Sequence, residues 1–443
     1  MSEWKKVKIG DFLTESKIIA EESDAAHRIT VRLNCKGIEQ RALKAEKEGA
    51  TKYYTRKSGQ FIYGKQNIHK GAFGIIPQEL DGFTSSADLP AFDVDLSKCI
   101  PEWICICLQK DEYYKTLQKN VKGVGSQRLA VNVFLDSEIP LPPVEKQVEI
   151  IKKIQLQLQK TEQLSIEIES QENYIKQLRQ NILQDAIEGK LTADWRKQNP
   201  VQKGNPDYDA EVLFEQIQKD RSKEKKQKEL SPITDKEKPF ELPEGWKWVR
   251  LGEIIKEPPR NGYSPKAVDY ETPIKTLKLG AVTYGVFDSN EYKFINEEIP
   301  KDAYCWLKNG DFLIERSNSV EYVGICAIYT CKDNEFMYPD LLIRFRTQDN
   351  LSKKYIHTAL VSPFNRSYFM SNAKGAQKTM PKINQECVVN TMIPLPPLKE
   401  QEEIVNKVES LLSKVTTLEN QIQDRKSLSD KLIFGIIKEN LEG

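Results

Sequence analysis

The stretch IPLPPVEKQ at 139–147 returns as IPLPPLKEQ at 393–401, 254 residues later, and the run after each copy constrains the chain more than any other feature. Two adjacent prolines cannot sit inside a helix, since each lacks an N–H and its ring clashes with the preceding turn, but a proline suits the first turn. A long, charge-rich run without proline or glycine then starts in both copies. In the second, Ile404, Val408, Leu411, Val415, Leu418, Ile422, Leu432 and Ile436 recur in steps of three and four, with Arg425 and Ser429 interrupting. In the first, Ile150, Ile154, Leu164, Ile168, Ile175, Leu178 and Ile182 keep the same phase, with Gln157, Thr161 and Gln171 as polar interruptions. That spacing is the narrow apolar seam of a coiled coil, written twice. Each helix could instead pack on its own domain, but the seam is too narrow and too long for one globular contact. Mutual pairing of the two helices is the expectation.

A second repeat lies upstream of each seam. WKKVKIGDF opens at Trp4 and WKWVRLGEI at Trp246, again without gaps and apolar for apolar. Both halves therefore run from a Trp-led opening to an IPLPP signal in one order, the mark of a duplicated unit. Between the halves, DYDAEVLFEQIQKDRSKEKKQKEL reads as a charged helix. SPITDKEKPFELPEG then reads as an exposed, proline-punctuated linker. Acidic residues interleave the KEKKQK run, so it is read as a solvated helix face.

Composition excludes little by itself. Lys and Arg number 66 against 65 Asp and Glu, so any nucleic-acid surface must be local. The eight cysteines include no C-x-x-C pair; Cys105/Cys107 and Cys326/Cys331 lie in apolar stretches, as inert thiols of a reducing compartment do. No apolar leader and no uncharged run long enough to span a bilayer is present, which points to a cytoplasmic protein without membrane contact.

The blocks before each IPLPP, about 1–138 and 241–392, do not align with each other beyond their openings. Their short alternating stretches, FLIER, YVGICAIY, LLIRFR and AFDVDL, predict compact α/β or α+β domains. Polar and basic glycine loops recur in them. YGKQNIHKGAFG carries Lys65, Gln66, Asn67, His69 and Lys70, and KGVGSQRL carries Gln127 and Arg128. PPRNGYSPK carries Arg260, Asn261, Tyr263, Ser264 and Lys266; ERSNS carries Arg316, Ser317 and Asn318; AKGAQKTM carries Lys374, Gln377 and Lys378. Arg and Lys pair with guanine, Asn and Gln with adenine, and Ser, Thr and Tyr commonly hold phosphates, so the set is a candidate DNA surface. One such loop alone is commonly a solvated turn.

Catalytic signatures are missing. No phosphate-binding glycine loop of the G-x-x-x-x-G-K-[ST] type occurs, and His27, His69 and His357 are too scattered for a metal site or a triad. Asp81 and Asp88 read as turn residues. The proline pairs read LPPV, EPPR and LPPL, unlike the N/D-P-P-aromatic motif of adenine methyltransferases. No catalytic residue and no metal ligand is assigned.

Both IPLPPxxxQ-plus-helix units, IEGKLTADWR at 187–196, FELPEGWKWVRLGEI at 240–254, PPRNGYSPK at 258–266 and FLIERSNSVEYVG at 312–324 occur here in one order. In that set the chain resembles the DNA-specificity subunits of Type I restriction–modification systems, over essentially its whole length. The resemblance implies two target-recognition domains, 1–138 and 241–392, each reading one half of a bipartite, asymmetric site in double-stranded DNA. Conserved helical spacers at 139–195 and 393–443, with the charged helix and linker 196–240 between, would form two long antiparallel helices that set the gap. It further implies docking of two methyltransferase subunits, which bring S-adenosylmethionine and methylate adenine at N6. Restriction or motor subunits using ATP and Mg would join them, with no cofactor held by this chain. A coiled-coil scaffold that binds only proteins is the alternative, and a single-chain enzyme is disfavoured by the missing motifs.

Overall fold

The computed structural model describes residues 4–21, 24–42, 52–117, 128–222, 230–374 and 380–442. It divides into two compact units, residues 1–171 with 421–443, and residues 172–420.

In both units the two repeated signatures meet. In the first, strand Lys6–Lys8 pairs antiparallel with Glu138–Pro140 and sets Val7 opposite Ile139. In the second, Lys247–Arg250 pairs with Met392–Leu395 and sets Val249 opposite Ile393. The Trp-led opening and the IPLPP signal are two strands of one ribbon, which explains why each half carries both. The ribbon continues alike: Ile9 N donates to Ser137 O at 2.9 Å, and Leu251 N to Thr391 O at 2.8 Å. The glycine of each opening is there for close approach. A Cβ at Gly10 would lie 3.2 Å from the Leu135 carbonyl oxygen, and one at Gly252 would lie 3.0 Å from that of Val389.

The glutamine that ends IPLPPxxxQ closes each unit. Gln147 and Gln401 are fully buried. Each amide nitrogen reaches back to the proline turn, at 2.8 Å from Pro142 O and 2.9 Å from Pro396 O. Each amide oxygen accepts from a backbone N–H at the start of another helix. Ile100 N, at 3.0 Å, precedes helix Pro101–Gln109; Ser352 N, at 3.1 Å, precedes helix Lys353–Val361. Helix starts leave such donors without intrahelical partners, so the glutamine supplies what the backbone lacks. The same helices also reach the ribbon, through Trp103 Nε1 to Pro140 O at 2.8 Å and through the Tyr355 hydroxyl to Pro394 O.

Beyond this frame the two units share a four-stranded antiparallel sheet. Its order in the first is Leu13–Ser16, Ala91–Val94, Phe61–Tyr63, Phe73–Ile75; in the second it is Ile255–Asn261, Leu342–Thr347, Phe312–Glu315, Cys326–Ile328. Phe61 faces Phe92 across the first sheet, and Phe312 faces Phe345 across the second. The blocks that do not align by sequence therefore have a common scaffold. Backbone pairing and exchangeable apolar side chains carry it, and neither needs residue identity. The units differ in what is added. The second has a three-stranded sheet of Ala267–Val268, Tyr292–Ile295 and Ile274–Leu277. The first has the ribbons Ile29–Val31 with Ile38–Gln40 and Tyr53–Thr55 with Thr84–Ser86.

The runs after each IPLPP are single helices, Val144–Ile187 and Leu398–Glu442, of 44 and 45 residues. Each is about 66 Å long at 1.5 Å per residue. Within the second unit their segments run antiparallel, as Lys407 Nζ bonds Leu191 O at 3.0 Å and Arg179 pairs with Glu419 at 2.9 Å. Within the first, Arg425 bonds Gln171 at 3.0 Å, and Ile436 joins Ile150 and Ile154 in the core. Most of the expected seam is inward. Ile150, Ile154, Ile168, Ile175, Ile182, Ile404, Val408, Val415, Ile422 and Ile436 are buried, and Leu164 and Leu411 are half-buried.

Three seam positions are corrected. Leu178, Leu418 and Leu432 are 42, 43 and 48% exposed. One residue further on, Arg179 and Glu419 join the two helices by an ion pair at 2.9 Å, each side chain more than a third exposed. Ser429, taken as an interruption, is 4% exposed and lies in the seam, while Leu432 points outward. Thr161 is buried as well, its hydroxyl satisfied by the Gln157 carbonyl one turn back.

Replacing Gln401 or Gln147 with Leu leaves buried backbone groups unpaired. Each substitution is expected to destabilise its own unit by about 1–3 kcal/mol per orphaned group. Denaturant unfolding followed by hydrogen exchange in each unit checks this.

Candidate nucleic-acid interface

The loop candidates separate into residues that line clefts and residues committed elsewhere. In the first unit, Gly64–Gly71 connects strands Phe61–Tyr63 and Phe73–Ile75. Its end is written by Gly71, with φ of +76° and a Cβ position 2.8 Å from Cys35 N, so only glycine fits. Within the loop Asn67 O accepts from Lys70 N and Ala72 N, at 2.9 and 3.1 Å. Lys70 is exposed, and Lys65, Gln66, Asn67 and His69 are half-buried. Burial, then Lys70, lowers the His69 pKa, so its ring is neutral near pH 7.

Leu129 N donates to Lys65 O at 2.8 Å, which draws the segment after residue 127 against this loop. Lys65 and Arg128 thereby line one cleft of about 520 Å³, with Glu15, Lys17, Tyr54 and Arg56. Arg128 is a fork held by a fork: its Nε and Nη2 donate to the two oxygens of Asp88 at 2.9 and 3.1 Å. That hydrogen bond holds the Asp88 carboxyl below the ordinary aspartate range, against a smaller opposing effect of burial. Gln127 lies outside the described residues.

In the second unit the PPRNGYSPK stretch does not converge on one point. Gly262 sits where a Cβ would be 2.0 Å from Tyr338 O, which excludes any side chain. Arg260 stacks 3.9 Å from the Tyr304 ring centroid, Asn261 accepts from Gln385 at 3.4 Å, and Tyr263 donates to Glu297 at 2.9 Å. Lys266 is exposed. Ser264 is joined to Arg316 through Asp340, which accepts the serine hydroxyl, while its carbonyl accepts from Arg316 at 3.3 Å. Arg316, Lys374 and Lys382 line a cleft of about 440 Å³ with Asn384 and Glu386. Ser317 is buried and faces inward, while Asn318, half-buried, donates at 2.8 Å to the buried Glu315. Gln377 and Lys378 lie outside the described residues.

Three features were illegible in the sequence: the buried Arg56, and Asp88 and Asp340 as holders of arginines. Arg56 braces three elements through Ser85 Oγ, Ser16 O and Leu89 O, at 2.7, 2.8 and 3.1 Å. Burial lowers its pKa to about 10. Across the second sheet, Glu257 accepts from Arg344 and Arg346 at 2.8 and 2.5 Å, and Arg346 also forks onto Asp311, 1% exposed. Burial raises the Glu257 pKa, but the two arginines outweigh it and leave the pKa below the ordinary glutamate range.

The histidines and cysteines do not assemble. The His357 ring nitrogen is bonded to Cys326 O at 2.9 Å, and burial depresses its pKa; Cys107 and Cys326 are pushed up by burial, away from thiolate. All eight thiols are free. Among the described residues no cluster of three His, Cys, Asp or Glu side chains could hold a metal, and no helix is long and apolar enough to cross a membrane.

Residues 243–425 match the family model of the Type I restriction modification DNA specificity domain. The chain is 31% identical over 261 residues to the Type I restriction enzyme EcoEI specificity subunit of Escherichia coli, covering 56% of this chain and 42% of that one. It is 27% identical over 309 residues to the EcoKI specificity subunit of Escherichia coli strain K12, covering 69% of this chain and 57% of that one. The chain thus spans about half the length of these curated relatives. Its fold is similar to a chain solved in work on complex assembly and conformational transition of the type I R-M system. The TM-score is 0.63 at 17% identity, over 99% of this chain and 98% of that one. The HsdS subunit of Thermoanaerobacter tengcongensis gives a TM-score of 0.51 at 17% identity, over 100% of this chain and 97% of that one.

Asp311→Ala leaves the half-buried Arg346 with Glu257 as its remaining carboxylate, and a cost of about 1–3 kcal/mol to the second unit is expected. Because the Glu257 pKa is depressed, its contribution is present above the ordinary glutamate range and is lost as pH falls through and below it. Thermal unfolding of the wild type and the variant across acid pH checks both.

Proposed function

We propose that this chain, whose residues 243–425 match the model of the Type I restriction modification DNA specificity domain, is the subunit that chooses where a methyltransferase and nuclease complex acts. Each unit presents one recognition domain to one half of a bipartite site in double-stranded DNA. The observation that carries this reading is the duplication: one ribbon, one glutamine closure and one sheet order, built twice with different loops on top. A scaffold repeated with unlike reading surfaces suits a site whose two halves differ.

The long helices serve as the ruler for the unspecified gap. The ion pair of Arg179 with Glu419 links the two helices and favours the register in which those charges meet. Two methyltransferase subunits dock on this chain and bring S-adenosylmethionine for transfer to adenine N6. Restriction subunits bring ATP and Mg. This chain contributes recognition and no catalysis, and the complex works in the cytoplasm.

A map of adenine methylation in a genome with and without this chain, the methyltransferase present in both, tests the role. A bipartite motif that disappears with the chain is expected; an unchanged map would overturn the reading in favour of a protein-binding scaffold. Inserting seven residues into both long helices keeps the seam in phase and adds about 10 Å, about three base pairs of duplex. The recognised gap should lengthen while both halves stay the same.

A further inference from the structure

The backbone register that relates the two scaffolds also relates their two clefts. In the first unit, Leu129 N donates to Lys65 O at 2.8 Å, and Leu129 stands two residues before helix Val131–Leu135. In the second, Ile383 N donates to Arg316 O at 3.0 Å, and Ile383 stands two residues before helix Gln385–Val389. Lys65 and Arg316 each come just after the corresponding sheet strand. Lys65 therefore corresponds to Arg316, and Arg128 to Lys382, a residue that the loop motifs did not single out.

The two clefts carry the same chemistry with the walls exchanged. In the first, the lysine is on the strand side and the arginine on the helix side; in the second the order is reversed. Each arginine is held by an aspartate: Arg128 by both oxygens of Asp88, and Arg316 by the Asp340 carbonyl at 3.3 Å with its carboxylate at 3.9 Å. Among the described residues neither Lys65 nor Lys382 forms an ion pair. The clefts are positive where the chain is not. The first is lined by Lys17, Arg56, Lys65 and Arg128 with Glu15, and the second by Arg316, Lys374 and Lys382 with Glu386; with Asp88 and Asp340, which engage the arginines, counted as well, each cleft keeps an excess of cations. Over the chain as a whole, 66 cations face 65 carboxylates, so this local excess is what a polyanion would find.

Resting on the DNA reading above, we propose that these corresponding clefts grip the two half-sites, with Lys65 and Lys382 on phosphates and Arg128 and Arg316 facing base edges. Asp88 and Asp340 are positioning residues. A planar guanidinium pinned along one edge offers its remaining N–H groups in a fixed direction, the condition for reading guanine O6 and N7. A lysine is a rotating point charge, suited to phosphate.

The test uses the full chain assembled with its methyltransferase subunits and a duplex library randomised across the site. Selected sequences give the consensus, and titrations of a selected duplex at several salt concentrations give affinity and salt slope. Lys65→Ala and Lys382→Ala are expected to keep the consensus, lower affinity about three- to tenfold at low salt, and reduce the salt slope by about one. Arg128→Ala should relax one position of one half-site only, by about tenfold or more in discrimination, and Arg316→Ala one position of the other. Asp88→Asn and Asp340→Asn should relax the same positions less, and Arg128→Lys should not restore the first. All six side chains are at least partly exposed, and unchanged thermal unfolding confirms that the variants fold. A consensus untouched by the arginine and aspartate variants, or lysine variants with wild-type affinity and slope, overturns the assignment of the clefts. A wild-type complex that enriches no sequence overturns the DNA reading itself.

Discussion

A buried glutamine amide must find partners for both its donors and its acceptor, and this requirement organises both units. Gln147 and Gln401 meet it by tying the proline turn and the long helix that follows it to the start of a second helix, 47 and 49 residues away in sequence. Leucine at that position would fill the space and abandon the helix start. The prolines are the other half of the arrangement. They end the ribbon strand, start the long helix, and leave carbonyls free for the glutamine nitrogen to find.

The rest of each unit depends on this closure. The ribbon brings the opening strand to the end of the block, so everything between must be a closed domain with its ends together. Such a domain tolerates very different insertions, because loops added between strands do not disturb the ends. The first unit's additional ribbons and the second unit's three-stranded sheet are insertions of this kind. The clefts lie between the sheet-strand exit and the short helix before the ribbon, close to the shared frame.

The long helices obey a different constraint. Their seam is only part apolar: Thr161 and Ser429 are buried where leucine would pack better, and the part-exposed pair of Arg179 with Glu419 flanks it. Leucines are available one residue away, at Leu178 and Leu418, and point outward instead. A continuous leucine seam could slip by a heptad at little cost, whereas an ion pair between the helices meets in few registers.

Much of this was legible in the sequence. The duplication, the long helices and most seam positions come from spacing, because periodicity and proline chemistry act locally. The glycine loops were visible as loops, though Ser317 proved to be buried and Asn318 to be bonded to Glu315. Only the tertiary structure decided that the Trp-led opening pairs with IPLPP, that the two blocks share a sheet, and that Lys65 answers to Arg316 and Arg128 to Lys382. It alone showed Asp88 and Asp340 as holders of arginines. The reason is physical: backbone pairing between distant segments leaves no required side chain at either end. A salt bridge between distant loops requires only that two charges meet, which no spacing in the chain records.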